Sequence, residues 1–217
     1  MRIVVTAGPT REPIDPVRFI SNRSSGKMGY AIAEAAITTG HDVTLISGPA
    51  AIAPPPAAQL ITIVTSDELY DAVHEQVREC DVLVMCAAVS DYKPAKAAAQ
   101  KMEKQSAPFA LPLVPTRDIL ASLASSERSF LVVGFAAETH DLAPKAQRKL
   151  KAKNCDLLIA NDVSGSDCGM ESDDNEVTIF FRSGERKEIS RASKKIIAHK
   201  ILKIIVQLRE KSLTKKT

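Results

Sequence analysis

The sequence predicts an α/β protein built on a mostly parallel sheet with helices on both faces. Three observations carry this prediction. Short β-rich runs alternate with longer helical patterns along the chain. Two of the short runs, residues 2–7 (RIVVTA) and 81–86 (DVLVMC), are almost continuously apolar, as strands covered on both faces are. Capping residues also stand at helix ends, with Gly40 closing one helical segment and Ser66 opening the next.

Residues 2–7 read as a buried strand that ends at Gly8-Pro9. A polar loop punctuated by Gly and Pro fills residues 8–25, and residues 26–39 read as a helix rich in small side chains, with Gly40 at its C-cap. Residues 43–46 form the next strand. Residues 48–58 contain four prolines and five alanines and so read as a connection. Residues 60–64 read as a strand, and Ser66 serves as N-cap for a helix over 67–80, where Leu69, Val73 and Val77 keep an apolar stripe. The strand 81–86 gives way to an irregular stretch, 87–105, ending in an alanine/lysine run. Beyond it the pattern predicts a strand over 109–114, a short helix over 118–125, a strand over 130–135 and a basic helix over 141–153. Strands over 156–160 and 177–181 and a long helix over 191–210 complete the chain, with a lysine-rich tail expected to fray. The whole chain, 1–217, reads as one domain: a core over about 1–164, a C-terminal strand and helix within 165–211, and a tail from 212.

A chain of 217 residues buries roughly 70% of the surface it exposes when unfolded, so its core needs no disulfide or metal. The net charge of +3 is too small for a general nucleic-acid binder, although cations gathered at one pocket would still favour a polyanion. Cys80, Cys86, Cys155 and Cys168 lack C-x-x-C spacing and read as reduced thiols, and the scattered histidines form no H-E-x-x-H. The first strand begins at once, with no signal-peptide pattern before it, and no apolar stretch approaches a membrane span. The expected compartment is the cytoplasm.

In parallel sheets ligands bind beyond the carboxyl ends of the strands, which puts residues 8–29, 87–104 and 135–139 on one functional edge. The first of these loops carries prolines, arginines and small hydroxyl residues, and the amides at the start of the following helix suit a phosphate. It is neither a Walker A loop, since Lys27 precedes Met28, nor a G-x-G-x-x-G loop. Gly8, Thr10, Arg11, Ser24, Ser25 and Gly26 are its candidate phosphate-contacting or substrate-contacting residues. After the strand 81–86, Ala87 and Ala88 would leave backbone amides open to a flat ligand, and Asp91 would suit a ribose or a metal. Lys101 and Lys104, with Lys149, Lys151 and Lys153, could serve a triphosphate or simply form solvated faces. Lys149 and Lys153 stand four apart and share a helix face.

Six stretches then converge: TAGPTREPIDPVRFISNRSSGKMG, CAAVSDY, KMEK, PTRDIL, GFAAET and KLKAKNCDLLIANDVS. Together, and in this order, they resemble the synthetase component of the bacterial phosphopantothenoylcysteine synthetase/decarboxylase family. The resemblance implies a Rossmann-like homodimer that ligates 4′-phosphopantothenate to L-cysteine with CTP and Mg2+, through an acyl-nucleotidyl intermediate, in coenzyme A biosynthesis. It places Asn22, Arg18 and Lys101 in catalytic roles, Arg18 near the dimer interface and Lys101 on the triphosphate. Ala87, Ala88, Asp91, Arg117, Asp118, Ile119, Leu120, Phe135, Lys149 and Lys153 would form the nucleotide pocket, with Asp91 reaching the magnesium. No flavin is expected, and a separate flavin-dependent decarboxylase would act on the product, because this chain starts at the synthetase.

Two departures from the family's pattern stand out. Glu103 replaces a lysine in K-x-K-K, and Thr116-Arg117-Asp118 replaces Asn-Pro-Asp, adding a charge and a backbone N–H where proline has none. The alternative to an enzyme is a nucleotide-binding regulatory partner of a decarboxylase. An oxidoreductase is disfavoured by the missing glycine fingerprint. The C-terminal part could supply the dimer interface or complete the sheet's edge.

Overall fold

The computed structural model describes residues 1–104, 106–124, 128–138, 140–162 and 172–214. The chain opens with β1 (Arg2–Ala7), a short hairpin of β2 (Arg11–Pro13) and β3 (Phe19–Ser21), and helix α1 (Lys27–Thr38). Strands β4 (Asp42–Ser47) and β5 (Gln59–Thr62) lead to α2 (Ser66–Gln76) and β6 (Val82–Met85). A second hairpin-like pair, β7 (Tyr92–Pro94) and β8 (Leu113–Pro115), precedes the one-turn helix α3 (Ile119–Ser122). Then come β9 (Leu131–Glu138), α4 (Leu142–Ala152), β10 (Leu157–Asp162), β11 (Asp174–Phe181), β12 (Arg186–Ser193) and α5 (Lys194–Thr214).

The two apolar runs become neighbours at the middle of the main sheet. Its order is β12-β11-β10-β9-β6-β1-β4-β5. Every pairing from β5 across to β10 is parallel, and β11 and β12 add an antiparallel edge. Counting only the strands of this sheet, the order over its first six is the doubly wound 3-2-1-4-5-6. The expected α/β class is therefore present.

Strand parity sorts the core into two faces. Ile3, Val5, Val82, Val84, Val133, Leu157 and Ile159 point to one face, where α1 and α5 cover them with Ile32, Ala36, Ile197, Ile201 and Ile205. Val4, Leu83 and Met85 point to the other, under Leu69 and Val73 of α2 and Ile119 of α3. Val132 and Leu158 also point there, under Ala146 and Leu150 of α4. Each buried Ile or Leu of this kind contributes roughly 1.5–3 kcal/mol relative to exposure. The small residues of α1 have a further use: a Cβ on Gly29 would stand 2.6 Å from the Ala7 Cβ, so glycine lets this helix press directly onto β1.

Several sequence expectations need correction. The loop 8–25 contains the β2–β3 hairpin, because Asp15 organises its tip: the buried carboxylate accepts from the Val17 and Arg18 N–H groups at 2.9 Å each. Thr65, not Ser66, is the N-cap of α2, and it makes a full capping box with Glu68. The strand expected over 109–114 forms only over Leu113–Pro115. It pairs with β7, which the irregular reading of 87–105 missed, in a separate, exposed two-stranded sheet. The helix expected from 191 begins at Lys194, because residues 186–193 form β12, a strand whose exposed polar face disguised it. The tail beyond 214 and Cys168 lie outside the described residues.

Candidate functional site

On either side of β1 the chain runs in opposite directions, to β4 on one flank and β6 on the other, so the loops after β1 and β6 part and leave a crevice. A cavity of about 680 Å3 occupies it. Its floor is built by hydrogen bonds between the two loops. The buried Thr6 Oγ1 accepts from the Cys86 and Ala87 N–H groups, both at 3.1 Å. The Ala88 N–H donates to the Gly8 carbonyl at 2.9 Å, and the Ala88 carbonyl accepts from Thr10 N–H at 3.2 Å. Thr10, also buried, accepts the Ser90 N–H with its hydroxyl at 3.0 Å. The same Ala88 carbonyl receives the Asn22 side-chain amide at 3.1 Å, which holds Asn22 at the cavity.

This geometry overturns one expectation. The Ala87 and Ala88 amides are not open to a ligand; they stitch the two loops together. What the alanines offer is room. A close approach elsewhere keeps that junction tight, since a Cβ on Gly48 would fall 1.9 Å from the Pro9 carbonyl oxygen. One wall is the start of α1, where Gly26, at φ 79 in the N-cap position, and Lys27, Met28 and Gly29 line the space. The first N–H groups of any helix have no intrahelical partner, so this end is suited to an anion. Ser24 lies beside it and accepts from the Gly26 N–H at 3.3 Å.

The opposite wall is ionic. Thr116, Arg117, Asp118, Ile119 and Leu120 form a rim along it. Asp118 caps α3, accepting from Ala121 N–H at 2.9 Å, and is ion-paired with Lys153. Lys149, one turn back on the same face of α4, sits 2.7 Å from Glu138. Burial works against ionising Glu138, but Lys149 and Lys145 outweigh it and hold its carboxyl below the usual range. Asp91 lines the mouth with an exposed side chain.

At the far end the cavity meets Phe135, Cys86, Asn161, Asn175 and Lys194. Burial pushes the Cys86 thiol up to about 12, so it is a neutral, apolar lining group rather than a nucleophile at ordinary pH. Cys80 and Cys155 are likewise buried and raised, in keeping with reduced structural thiols.

Thus Asn22, Ser24, Gly26, Ala87, Ala88, Asp91, Arg117, Asp118, Ile119, Leu120, Phe135, Lys149 and Lys153 meet at one place. Arg18 and Lys101 do not line that cavity. Arg18 is held by Asp15 and donates to the Met102 carbonyl at 2.7 Å, so it binds the segment carrying Lys101 to the hairpin tip. Gly8 and Thr10 work in the floor's hydrogen bonds, and Arg11 stacks on Phe19, 4.6 Å from the ring centre. Ser25 is half-buried and outside the lining. The charge of Arg117 does not enter the cavity as expected but turns toward α2. Thr139 and Ser164 lie outside the described residues. Lys27, Met28, Met85, Cys86, Thr116, Asn161, Asn175 and Lys194 are the polar or sulfur-bearing lining residues that sequence reasoning missed. Asn161 stood in a matched stretch, whereas Asn175 and Lys194 arrive from β11 and α5 with no local motif to mark them.

The family model described as DNA/pantothenate metabolism flavoprotein C-terminal domain matches residues 1–208. The coenzyme A biosynthesis bifunctional protein CoaBC of Vibrio vulnificus (strain CMCP6) is 47% identical over 209 residues, covering 95% of this chain and 52% of that protein. CoaBC of Bacillus subtilis (strain 168) is 44% identical over 207 residues, covering 95% and 51%. The chain spans about half the length of the curated relatives it matches. The crystal structure of a CoaBC C-terminal domain superposes with a TM-score of 0.83 at 39% identity, covering 97% of this chain and 96% of that one. A Cab2 mutant in complex with phosphopantothenate-cysteine shares the fold, with a TM-score of 0.82 at 17% identity, over 100% and 89% of the two chains. The chain belongs to the DNA/pantothenate metabolism flavoprotein C-terminal domain family, with the Rossmann-like fold of the CoaBC C-terminal domain.

Proposed function

We propose that this chain, as a member of that family, joins 4′-phosphopantothenate to L-cysteine using CTP and magnesium, a step of coenzyme A biosynthesis. The observation that carries the reading is the crevice itself. An anion-accepting helix end and a lysine-bearing wall face each other across a neutral floor that fixes Asn22. The relatives named for coenzyme A biosynthesis and the Cab2 complex with phosphopantothenate-cysteine support the choice of substrates.

The chemistry requires two steps. A carboxylate oxygen of phosphopantothenate attacks the α-phosphorus of CTP; the P–O bond to the β-phosphate breaks and pyrophosphate leaves. The cysteine amine then attacks the carbonyl carbon of the acyl-CMP; the C–O bond breaks, CMP leaves with the electron pair, and the amine nitrogen gives up a proton to solvent. Neither step needs a protein nucleophile, so the chain's work is alignment and charge stabilisation. The start of α1 would receive a phosphate, Lys149 and Lys153 would exchange their carboxylate partners for the triphosphate, and Asn22 would hold the acyl intermediate. Exchange is easiest for Lys153, whose pair with Asp118 is partly exposed, whereas the buried Glu138 would keep Lys145 when Lys149 turns to the triphosphate.

Among the described residues no group of three or more His, Cys, Asp or Glu could hold a metal unaided. Magnesium suits this donor set, because it is commonly bound by one or two carboxylates together with substrate phosphates, and Asp91 would supply the carboxylate. It would neutralise charge on the triphosphate.

A homodimer is part of the same proposal. Val17, Phe19, Tyr92, Leu113 and Val114 are exposed on the two small hairpins, which pack on one another. The C-terminal strands instead complete the sheet, and α5 packs against α1. A second copy seated on the hairpins would put Arg18 and Lys101 at the subunit boundary. Separate decarboxylation of the product, by a flavin-dependent protein or domain, follows from the same reading. Among the described residues no helix is long and apolar enough to cross a membrane.

The test is pyrophosphate release from purified protein with Mg2+, phosphopantothenate and cysteine. Release that requires phosphopantothenate and is faster with CTP than ATP is expected. Nucleotide binding without release would instead favour a regulatory partner.

A further inference from the structure

The rim 116–120 ends in a helix of four residues, too short to hold its own shape in water. Its position against the cavity therefore depends on outside anchors. Thr116 is tied on one side: its N–H donates to the Asp91 carbonyl at 2.9 Å and its hydroxyl to the Ser90 carbonyl at 2.7 Å. Asp118 is tied on the other by Lys153. Between them Arg117 reaches away from the cavity into a three-sided seat on α2. Its Nε donates to Asp67 Oδ1 at 3.1 Å, and its Nη2 donates to the Asp67 carbonyl at 3.2 Å and to Asp71 Oδ1 at 3.1 Å. The guanidinium carbon lies 3.8 Å from the centre of the Tyr70 ring.

The ion pairs of this seat are partly exposed and individually weak, so its hold on Arg117 comes from several contacts made at once. Asp67 and Asp71 are four apart and so share one side of the helix, and the capping box at Thr65 and Glu68 fixes that end of it. Asp67 also pairs with Lys93 of β7, which keeps its carboxyl ionised and ready for Arg117. A planar guanidinium meets two carboxylates, a carbonyl and a ring face at once, an arrangement lysine cannot reproduce.

We infer that Arg117 is a positioning residue for nucleotide binding: anchored to α2, it sets the rim 116–120 against the cavity. Tyr70, Asp67 and Asp71 thereby influence nucleotide affinity without lining the cavity. The inference rests on reading the cavity as the nucleotide site, and it goes beyond that reading in assigning a role to a group that points the other way. It also accounts for the loop's tolerance of an arginine at position 117, where a proline would supply rigidity through its ring.

The experiment is calorimetric binding of Mg-CTP together with steady-state kinetics, for the wild-type chain and the variants Arg117→Ala, Arg117→Lys and Asp67→Asn. Arg117→Ala is expected to weaken CTP binding and raise its KM about tenfold while kcat changes less than about threefold and the cysteine KM stays put. Arg117→Lys fails to restore the wild-type KM. Asp67→Asn reproduces the defect, and combining it with Arg117→Ala costs less than the sum of the two. Wild-type CTP binding in Arg117→Ala overturns the inference. So does an equal loss for every substrate accompanied by a lower Tm, which would mark Arg117 as merely structural. Wild-type protein that binds CTP without turnover sinks the ligase reading alone, and the binding comparison still decides the role of Arg117. Wild-type protein that does not bind CTP overturns both.

Discussion

The floor and the ionic wall of the cavity are held by opposite means. At the floor, Thr6, Thr10 and Ala88 make neutral hydrogen bonds between two loops, and both threonines are buried. At the wall, Asp118 with Lys153 and Glu138 with Lys149 make ion pairs whose lysines remain about one-third and two-fifths exposed. Neutral buried bonds fix atoms but offer a ligand nothing to capture. Ion pairs whose lysines reach solvent can surrender those cations to a polyanion, Lys153 from the half-exposed Asp118 more readily than Lys149 from the buried Glu138. The division suits the proposed reaction, in which an acyl group is held still while a charged nucleotide enters and its fragments leave.

The strongest way to break this contrast is to put charge on the floor. Asn22→Asp replaces a neutral donor with an anion where the proposed acyl intermediate would sit, and product formation is expected to fall on the order of 100-fold or more while CTP binding holds. Normal turnover by this variant would remove Asn22 from the site. Thr6→Val, which keeps the shape but deletes the acceptor for two part-buried N–H groups, is expected to lower stability by about 1–3 kcal/mol in denaturant melts. Unchanged stability would mean that the floor is not set by Thr6.

The wall is expected to respond more mildly. Lys153→Gln raises the CTP KM about tenfold with little change in the cysteine KM, and its salt dependence is shallower than that of the wild type. An effect confined to kcat would contradict a binding role. The smallest effect concerns pH. Glu138 titrates below its ordinary 4.5 in the folded chain: burial opposes its ionisation, and Lys149 and Lys145 overcome that opposition. The stability it contributes is therefore present above that ordinary value and is lost as pH falls through the lowered folded value. Glu138→Gln is expected to flatten the acid side of a Tm-versus-pH profile; an acid side as steep as the wild type's would show that the pair contributes nothing.

The contrast also explains what could be read from the sequence. The buried strands were legible because continuous apolar runs such as 81–86 have few other uses, and a mostly parallel sheet with helices on both faces followed from their alternation with helices. Helical spacing put Lys149 and Lys153 on one face, but only the family resemblance put that face at the pocket rather than in solvent. The strand Arg186–Ser193 was not, because an edge strand with mostly exposed side chains carries no apolar signal. The floor was misread for a different reason. Ala87 and Ala88 suggest open amides, but their partners, Thr6 and Gly8, lie about eighty residues away and only the fold brings them together. Arg117 was placed at the right loop with its charge pointing the wrong way, since Asp67 and Asp71 on α2 decide its direction.

The central claim, a cavity that activates a carboxylate with a nucleotide, is tested most directly by pyrophosphate release from CTP with and without phosphopantothenate, before cysteine is added. The account predicts a burst of pyrophosphate that requires phosphopantothenate and is close to one equivalent per working site, with further release only once cysteine is present. Pyrophosphate released at the same rate without phosphopantothenate, or none from folded protein that binds CTP, would contradict it.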